Sequence, residues 1–142
     1  MLIAHGSLGK FFHLQEFSNA LRNEGIEVKL VRDIDFSRGF PSKNISEWFK
    51  GNRKFKKLIQ EFKPDVIFVD RQTHFGLHSI KSGIPTFVLL RGHYWLEYYW
   101  AMKTLGGNLK NRIALWFRNR IAEKIFAKST AVLPICKYLE DV

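Results

Sequence analysis

Thr86-Phe87-Val88-Leu89-Leu90 is a short apolar run with Pro85 before it and Arg91-Gly92-His93 after it. A run that brief and that continuous suits a central strand of a parallel sheet, buried on both faces. Similar runs recur at residues 2–4, 28–31, 65–70 and 131–135. The segments between them carry helical spacing. In residues 11–23, Phe12, Leu14, Phe17, Ala20 and Leu21 mark an apolar face, and Gly25 supplies the stop. Residues 32–46 have no clear period and contain Gly39 and Pro41, which predicts a long loop. Ser46 can cap a helix over about 47–62, with Trp48, Phe55, Leu58, Ile59 and Phe62 as its stripe and Pro64 beyond its end.

A short helix is expected over 73–82, closed by Gly83. Residues 94–102, dense in Tyr and Trp, run to a Gly106-Gly107 break. A long helix over about 108–127 follows, with Ile113, Phe117, Ile121 and Ile125 every fourth residue, and residue 137 onward reads as a helical first turn. Alternating strands and helices predict a doubly wound parallel sheet, Rossmann-like and three-layered α/β/α, with right-handed crossovers and strand order 3-2-1-4-5.

The 142 residues suffice for one domain with one core, and no repeat or interdomain linker interrupts them. Net charge is +10 and the sequence pI is near 9.9, so an anionic partner is expected: a membrane surface, a phosphorylated substrate or nucleic acid. Cys136 is the single cysteine, which excludes an internal disulfide and fits a reducing, cytoplasmic compartment. No apolar run approaches the roughly 20 residues that span a bilayer, and residues 1–4 are too short for a signal-peptide core.

Ligands of open α/β sheets sit beyond the carboxyl ends of the strands. His93, after the 86–90 strand, is therefore a candidate functional residue; a loop histidine bonded to backbone is the competing reading. Gly6, Gly9 and Lys10 precede the first helix, whose N-terminus favours an anion, although the same glycines could serve only a tight turn. Their spacing is neither the dinucleotide fingerprint nor a P-loop. Asp33 or Asp35 could meet a ribose. His5, His13, His74, His78, His93 and Cys136 do not make a closed zinc pattern, so no metal is expected. Ser7 lacks the context of a hydrolase nucleophile elbow.

Lys50, Arg53, Lys54, Lys56 and Lys57 crowd the polar face of the 47–62 helix, which is either solvated or laid on anionic headgroups. Between Arg91 and Arg120, aromatic residues including Tyr94, Trp95, Tyr98, Tyr99, Trp100 and Trp116 alternate with Lys103, Lys110, Arg112, Arg118 and Arg120. Such a mixture stacks bases or lines a bilayer interface. No nucleic-acid motif accompanies it, so nucleic acid ranks third among the anionic partners.

Four pieces, in order, resemble the N-terminal domain of GT-B glycosyltransferases of the retaining group 1 or family 4 type. They are Gly9-x-x-x-His13-x-x-x-Phe17-Ser18-x-x-Leu21-x-x-x-Gly25-x-x-Val28; Lys63-Pro64-Asp65-Val66-Ile67; Gly83-Ile84-Pro85 through His93; and Ala131 through Leu139. The chain departs from the family pattern at Leu8, Asp70, Tyr94 and Cys136. The resemblance implies that residues 1–142 are the acceptor-binding half of a two-domain enzyme that moves a sugar from a nucleotide-sugar to an acceptor. The donor-binding half, with its Glu-x7-Glu motif, would be supplied in cis or by a partner subunit. Alone, these residues are expected to have little or no transferase activity.

By the same resemblance, Gly6, Gly9 and Lys10 would approach the donor diphosphate. His93 would be catalytic, beside the transferred sugar, and His13, Arg91, Tyr94 and Trp95 would contact acceptor or phosphate. Lys50, Arg53, Lys54 and Lys57 would face a membrane carrying a lipid-linked acceptor, at the cytoplasmic face of the cell membrane. No cofactor beyond the nucleotide-sugar substrate is implied. The competing class is a non-catalytic, membrane-recruiting or nucleotide-binding subunit built on the same sheet.

Overall fold

The computed structural model describes residues 1–6, 11–41 and 52–141. Its centre is β1 (Leu2–His5), buried at all four positions. Parallel neighbours flank it on both sides: β2 (Lys29–Arg32) pairs Ala4 with Val31, and β3 (Ile67–Val69) pairs Ala4 with Val69. Strands β4 (Thr86–Leu90) and β5 (Ala131–Pro134) extend the sheet beyond β3, giving five parallel strands in the order 2-1-3-4-5.

The fold class is the one expected, a Rossmann-like α/β domain, but the strand order 3-2-1-4-5 is not adopted. The reason is visible in the strands themselves. Ile67, Phe68 and Val69 are all buried, so β3 needs a neighbour on each side. Strand β2 begins with exposed Lys29 and ends with half-buried Arg32, and charges of that kind belong on an edge.

Alternation along the strands divides the core between the two faces. On one face, Leu2, Ala4, Val31, Ile67, Val69 and Val88 pack with helical residues Phe55, Leu58, Phe75 and Ile125. Those residues come from α3 (Arg53–Phe62), α4 (His74–Ser79) and α6 (Leu109–Lys128). Phe75, wholly buried, stands edge-on to Phe55 with ring centroids 5.1 Å apart. On the other face, Ile3, Val28 and Phe68 meet Leu14 of α1 (Phe11–Asn23), with Leu30, Phe87 and Leu89 half-buried at the margin.

Helix α1 buries Leu14 and Ser18, whereas Phe12, expected on its apolar face, is 73% exposed. Two residues correspond to about 200° around a helix, so Phe12 and Leu14 cannot share a face. Gly25, with φ 79°, ends α1 in the left-handed turn that its place in the sequence predicts. The stretch expected as loop contains one helical turn, α2 (Asp33–Phe36). The start of the α3 segment, including its expected Ser46 cap, lies outside the described residues, and the helix ends at Phe62 as expected.

The aromatic segment after His93 is a full helix, α5 (Tyr94–Leu105), joined through Gly106-Gly107 to α6. A methyl on Gly106 would collide with the Met102 carbonyl, so this turn needs glycine. Asn108 caps α6 by accepting from the Asn111 N–H at 2.8 Å. The every-fourth stripe of α6 drifts about 40° per step. Ile125 is therefore wholly buried while Phe117 and Ile113 are 40% and 42% exposed. Lys137–Leu139 form a single 3-10 turn.

Truncating Phe75 to Ala should cost about 3–5 kcal/mol through lost burial and the cavity left behind. The same change at Phe12 should stay within about 0.5 kcal/mol. Chemical denaturation of both variants checks the assignment, and a Phe12 variant as damaged as the Phe75 one would contradict it.

Candidate functional site

The chain leaves β1 towards β2 on one side and later crosses to β3 on the other, so the sheet reverses direction at β1 and β3. Loops diverge at such a point and open a crevice at the carboxyl ends of the strands. Here that crevice holds two adjoining hollows of about 630 and 340 Å³, which share Arg71, Gln72, Thr73, Tyr94 and Glu97 as lining. The larger opens between the segment after α2, the β3–α4 loop and the α5–α6 hairpin. The smaller reaches the ends of β3 and β4 at Asp70, Leu90, Arg91 and Gly92.

Strand ends fix the polar groups of the crevice. Asp70, directly after β3, has a fully buried side chain that forms an ion pair with Arg91 Nε, directly after β4. The smaller hollow is thus floored by a neutralised pair, and removing Arg91 would leave the buried Asp70 carboxylate alone. Asp33, at the end of β2, accepts from the Thr73 hydroxyl at 2.9 Å and from the Ile34 N–H at 2.6 Å. Burial pushes its carboxyl above the usual range, opposed by those two bonds and by the charge of Arg71. Gly6 touches the arm of Arg71 so closely that a methyl there would overlap it.

The two histidines of α4 hold the far wall. His74 Nε2 donates to the Phe40 carbonyl at 2.7 Å, and His78 Nδ1 lies 2.5 Å from Ser37 Oγ. Their nitrogens therefore serve the loop after α2, and among the described residues no group of three His, Cys, Asp or Glu side chains could hold a metal. Burial, then the nearby His74, Lys81 and Lys56, lower the His78 pKa to about 4. Burial, then Tyr98, Glu123 and Glu97, push Tyr94 up to about 12.

His93 caps α5: its Nδ1 accepts from the Leu96 N–H at 3.2 Å. That bond places the proton of the neutral ring on Nε2, which can donate to a ligand. His93 is half-buried beside the rings of Trp95 and Tyr138 and does not line either hollow. Of the other expected contacts, Tyr94 lines both hollows and Arg91 the smaller one. His13 is exposed on α1 and Trp95 packs on Phe126, and neither lines a hollow. Gly9, Lys10 and Lys50 lie outside the described residues. Arg53, Lys54 and Lys57 are exposed along α3, opposite buried Phe55 and Leu58.

Sequence reading did not single out Arg38, Arg71 and Glu97, and it placed Tyr98 and Arg118 only in a mixed aromatic and basic run. Helical spacing could have found part of this: Tyr94, Tyr98 and Ala101 stand one turn apart on α5 and line the larger hollow together. Nothing local links Arg71 with Arg118.

The arrangement defines a class, a parallel Rossmann-like domain with a ligand-sized crevice at its topological switch point. No protein-family model, curated protein or solved structure matches the chain.

Acidification should weaken the fold through His78. Its folded pKa lies below the ordinary 6.5, so the unfolded chain gains the proton first. Stability from this group is full above about pH 6.5 and is lost progressively towards about pH 4. Asp33, raised by burial, acts in the opposite sense. His78→Gln should therefore flatten the loss between pH 7 and pH 4.5 measured by urea denaturation. An unchanged slope would show that His78 does not control it.

Proposed function

We propose that this chain is the acceptor-binding domain of a GT-B-type glycosyltransferase, which moves a sugar from a nucleotide-sugar donor to an acceptor. The observation that carries this reading is the course of β4. The Gly83-Ile84-Pro85 segment leads into the buried strand, Arg91 and Gly92 beyond its end line the smaller hollow, and His93 follows them as the cap of α5, outside that lining. The resemblance asks for a histidine in that position beside the transferred sugar.

In the proposed mechanism, His93 acts as a donor. Its Nδ1 is engaged by the cap, so Nε2–H hydrogen-bonds a hydroxyl of the transferred sugar, a contact that tightens as the transition state forms. Gly6, at the start of the first loop, belongs to the donor side, and its missing side chain leaves space for the arm of Arg71. Tyr94 and Arg91 border the acceptor space, with Asp70 holding Arg91 in place. The donor domain belongs to the same polypeptide or to a partner subunit, and no metal enters the reaction.

The test uses the polypeptide that carries the donor domain, purified and supplied with nucleotide-sugars and a membrane extract as acceptor source. His93→Asn is the informative variant, because Asn remains a good helix cap. Sugar transfer should fall about a hundredfold, the scale of one lost transition-state donor, with thermal stability unchanged. Absence of transfer by the native protein, or full activity in the variant, would refute the reading.

Work at the cytoplasmic membrane face is part of the proposal, supported by the exposed Arg53, Lys54 and Lys57 on α3. A second reading, a non-catalytic membrane-recruiting subunit, draws support from α5, which has no buried residue. Trp95 and Trp100 are 41% and 54% exposed, and Lys103 lies 4.4 Å from the Tyr99 ring centroid. Rings and cations so interleaved suit an anionic bilayer. Under both readings the chain should co-sediment with anionic vesicles and release as salt rises towards about 0.5 M. Lys54→Glu/Lys57→Glu and Trp95→Ala/Trp100→Ala then separate contact through α3 from contact through α5. Equal binding to neutral vesicles at high salt would contradict the electrostatic account.

A further inference from the structure

The larger hollow gathers three arginines from three separate parts of the chain. Arg38 follows α2, Arg71 lies in the β3–α4 loop and Arg118 projects from α6, and all three line the same space. Arg38 Nε donates to the Ile34 carbonyl. The guanidinium groups of Arg71 and Arg118 make no hydrogen bond or ion pair among the described residues. Among the described residues Glu97 is the one carboxylate in the lining, and no ion pair joins it to Arg71 or Arg118. Like charges that converge on a hollow repel one another, and an anion between them relieves that repulsion.

The remaining walls specify what accompanies the anion. Ile34, Pro41, Ala101, Leu115 and Ile121 supply apolar surface, while the Tyr94 and Tyr98 rings stand one turn apart on α5. A volume of about 630 Å³ lies in the range of small-molecule sites. Guanidinium groups arriving from several elements can engage the oxygens of a tetrahedral phosphate from different sides, whereas a carboxylate offers only one plane.

We infer that the larger hollow binds a phosphate-bearing small molecule with an apolar or ring-shaped portion, held by Arg71 and Arg118 and seated on Tyr94 and Tyr98. This rests on the acceptor-domain reading, and it names the acceptor's class: a phosphorylated compound whose phosphate lies in this hollow. Gly6 contributes indirectly, because its missing side chain leaves room for the Arg71 arm.

The probe is phenyl phosphate, titrated calorimetrically into the full chain without any nucleotide-sugar, with benzoate and phenyl glucoside as planar-anion and neutral comparators. Phenyl phosphate should bind more tightly than either. Arg71→Gln and Arg118→Gln should each weaken it at least about tenfold, the effect of one charge-assisted hydrogen bond. Gly6→Ala should also weaken it by displacing Arg71, and Arg120→Gln, outside the hollow, should leave it unchanged. Circular dichroism confirms that each variant is folded. Equal binding of the three probes, or wild-type affinity in folded Arg71 and Arg118 variants, would overturn the inference. Because no donor is present, the outcomes are separable: binding without sugar transfer by the complete protein would retain the site and reject the transferase, and transfer without phosphate binding would do the reverse.

Discussion

The burial of β1 is the constraint on which the crevice depends. Leu2–His5 has no solvent-facing side chain, so it requires parallel partners along both edges and cover on both faces. That requirement sends the chain first to β2 and later back across to β3. The helices that follow β1 and β3 then lie on opposite faces of the sheet, since Leu14 of α1 belongs to one core cluster and Phe75 of α4 to the other. Where the two connections part, the backbone opens, and Gly6 and Arg71 meet across the gap. The site is thus a consequence of strand order. An edge position for β1 would leave no such crevice.

Loops at this end of the sheet gain their shape from polar pairs that link distant segments. Asp33 with Thr73, Ser37 with His78, the Phe40 carbonyl with His74 and Asp70 with Arg91 all join groups at least 20 residues apart. A typical bond of this kind contributes only about 1 kcal/mol, but a buried group left without its partner costs more. The asymmetry favours all of them forming together. Three of the four pairs tie the segment after β2 to the β3–α4 region, so two walls of the larger hollow are anchored to each other. Residues 33–41 lack any apolar period, yet they hold one arrangement through these pairs.

Much of the fold was legible because strand burial leaves a direct trace in composition. The runs at 86–90 and 65–70 announced β4 and β3, and the glycines at 25 and 83 announced the turns that close α1 and α4. Strand order was not legible from the alternation of strands and helices, which fits 3-2-1-4-5 and 2-1-3-4-5 alike. The site was less legible than the strands. His93 stands where the sequence put it, after β4, and its Nδ1 accepts from a backbone N–H, the bond that the competing reading of the sequence expects. Arg71 and Arg118 are 47 residues apart, and side chains that meet only through tertiary structure leave no local pattern. Helix α5 was hidden for another reason: with no buried residue it has no apolar face to give it a period.

That same helix pair raises the question of what balances its exposure. One side of α5, Tyr94, Tyr98 and Ala101, lines the larger hollow, while Trp95, Leu96, Tyr99 and Trp100 face outward. Helix α6 repeats the division, with Leu115, Arg118 and Ile121 towards the hollow and Ile113, Trp116 and Phe117 at least 40% exposed. An exposed apolar surface of this extent is retained where it is used. Cations lie over its rings, Lys103 on Tyr99 and Trp100 and Arg120 on Trp116, which favours an anionic surface over an apolar protein core as its neighbour. The hairpin therefore joins two surfaces of related chemistry, an arginine-lined hollow on one side and a ring-and-cation face on the other. A ligand with a phosphate and an apolar portion, as proposed for the acceptor, combines the features that the two surfaces separately favour.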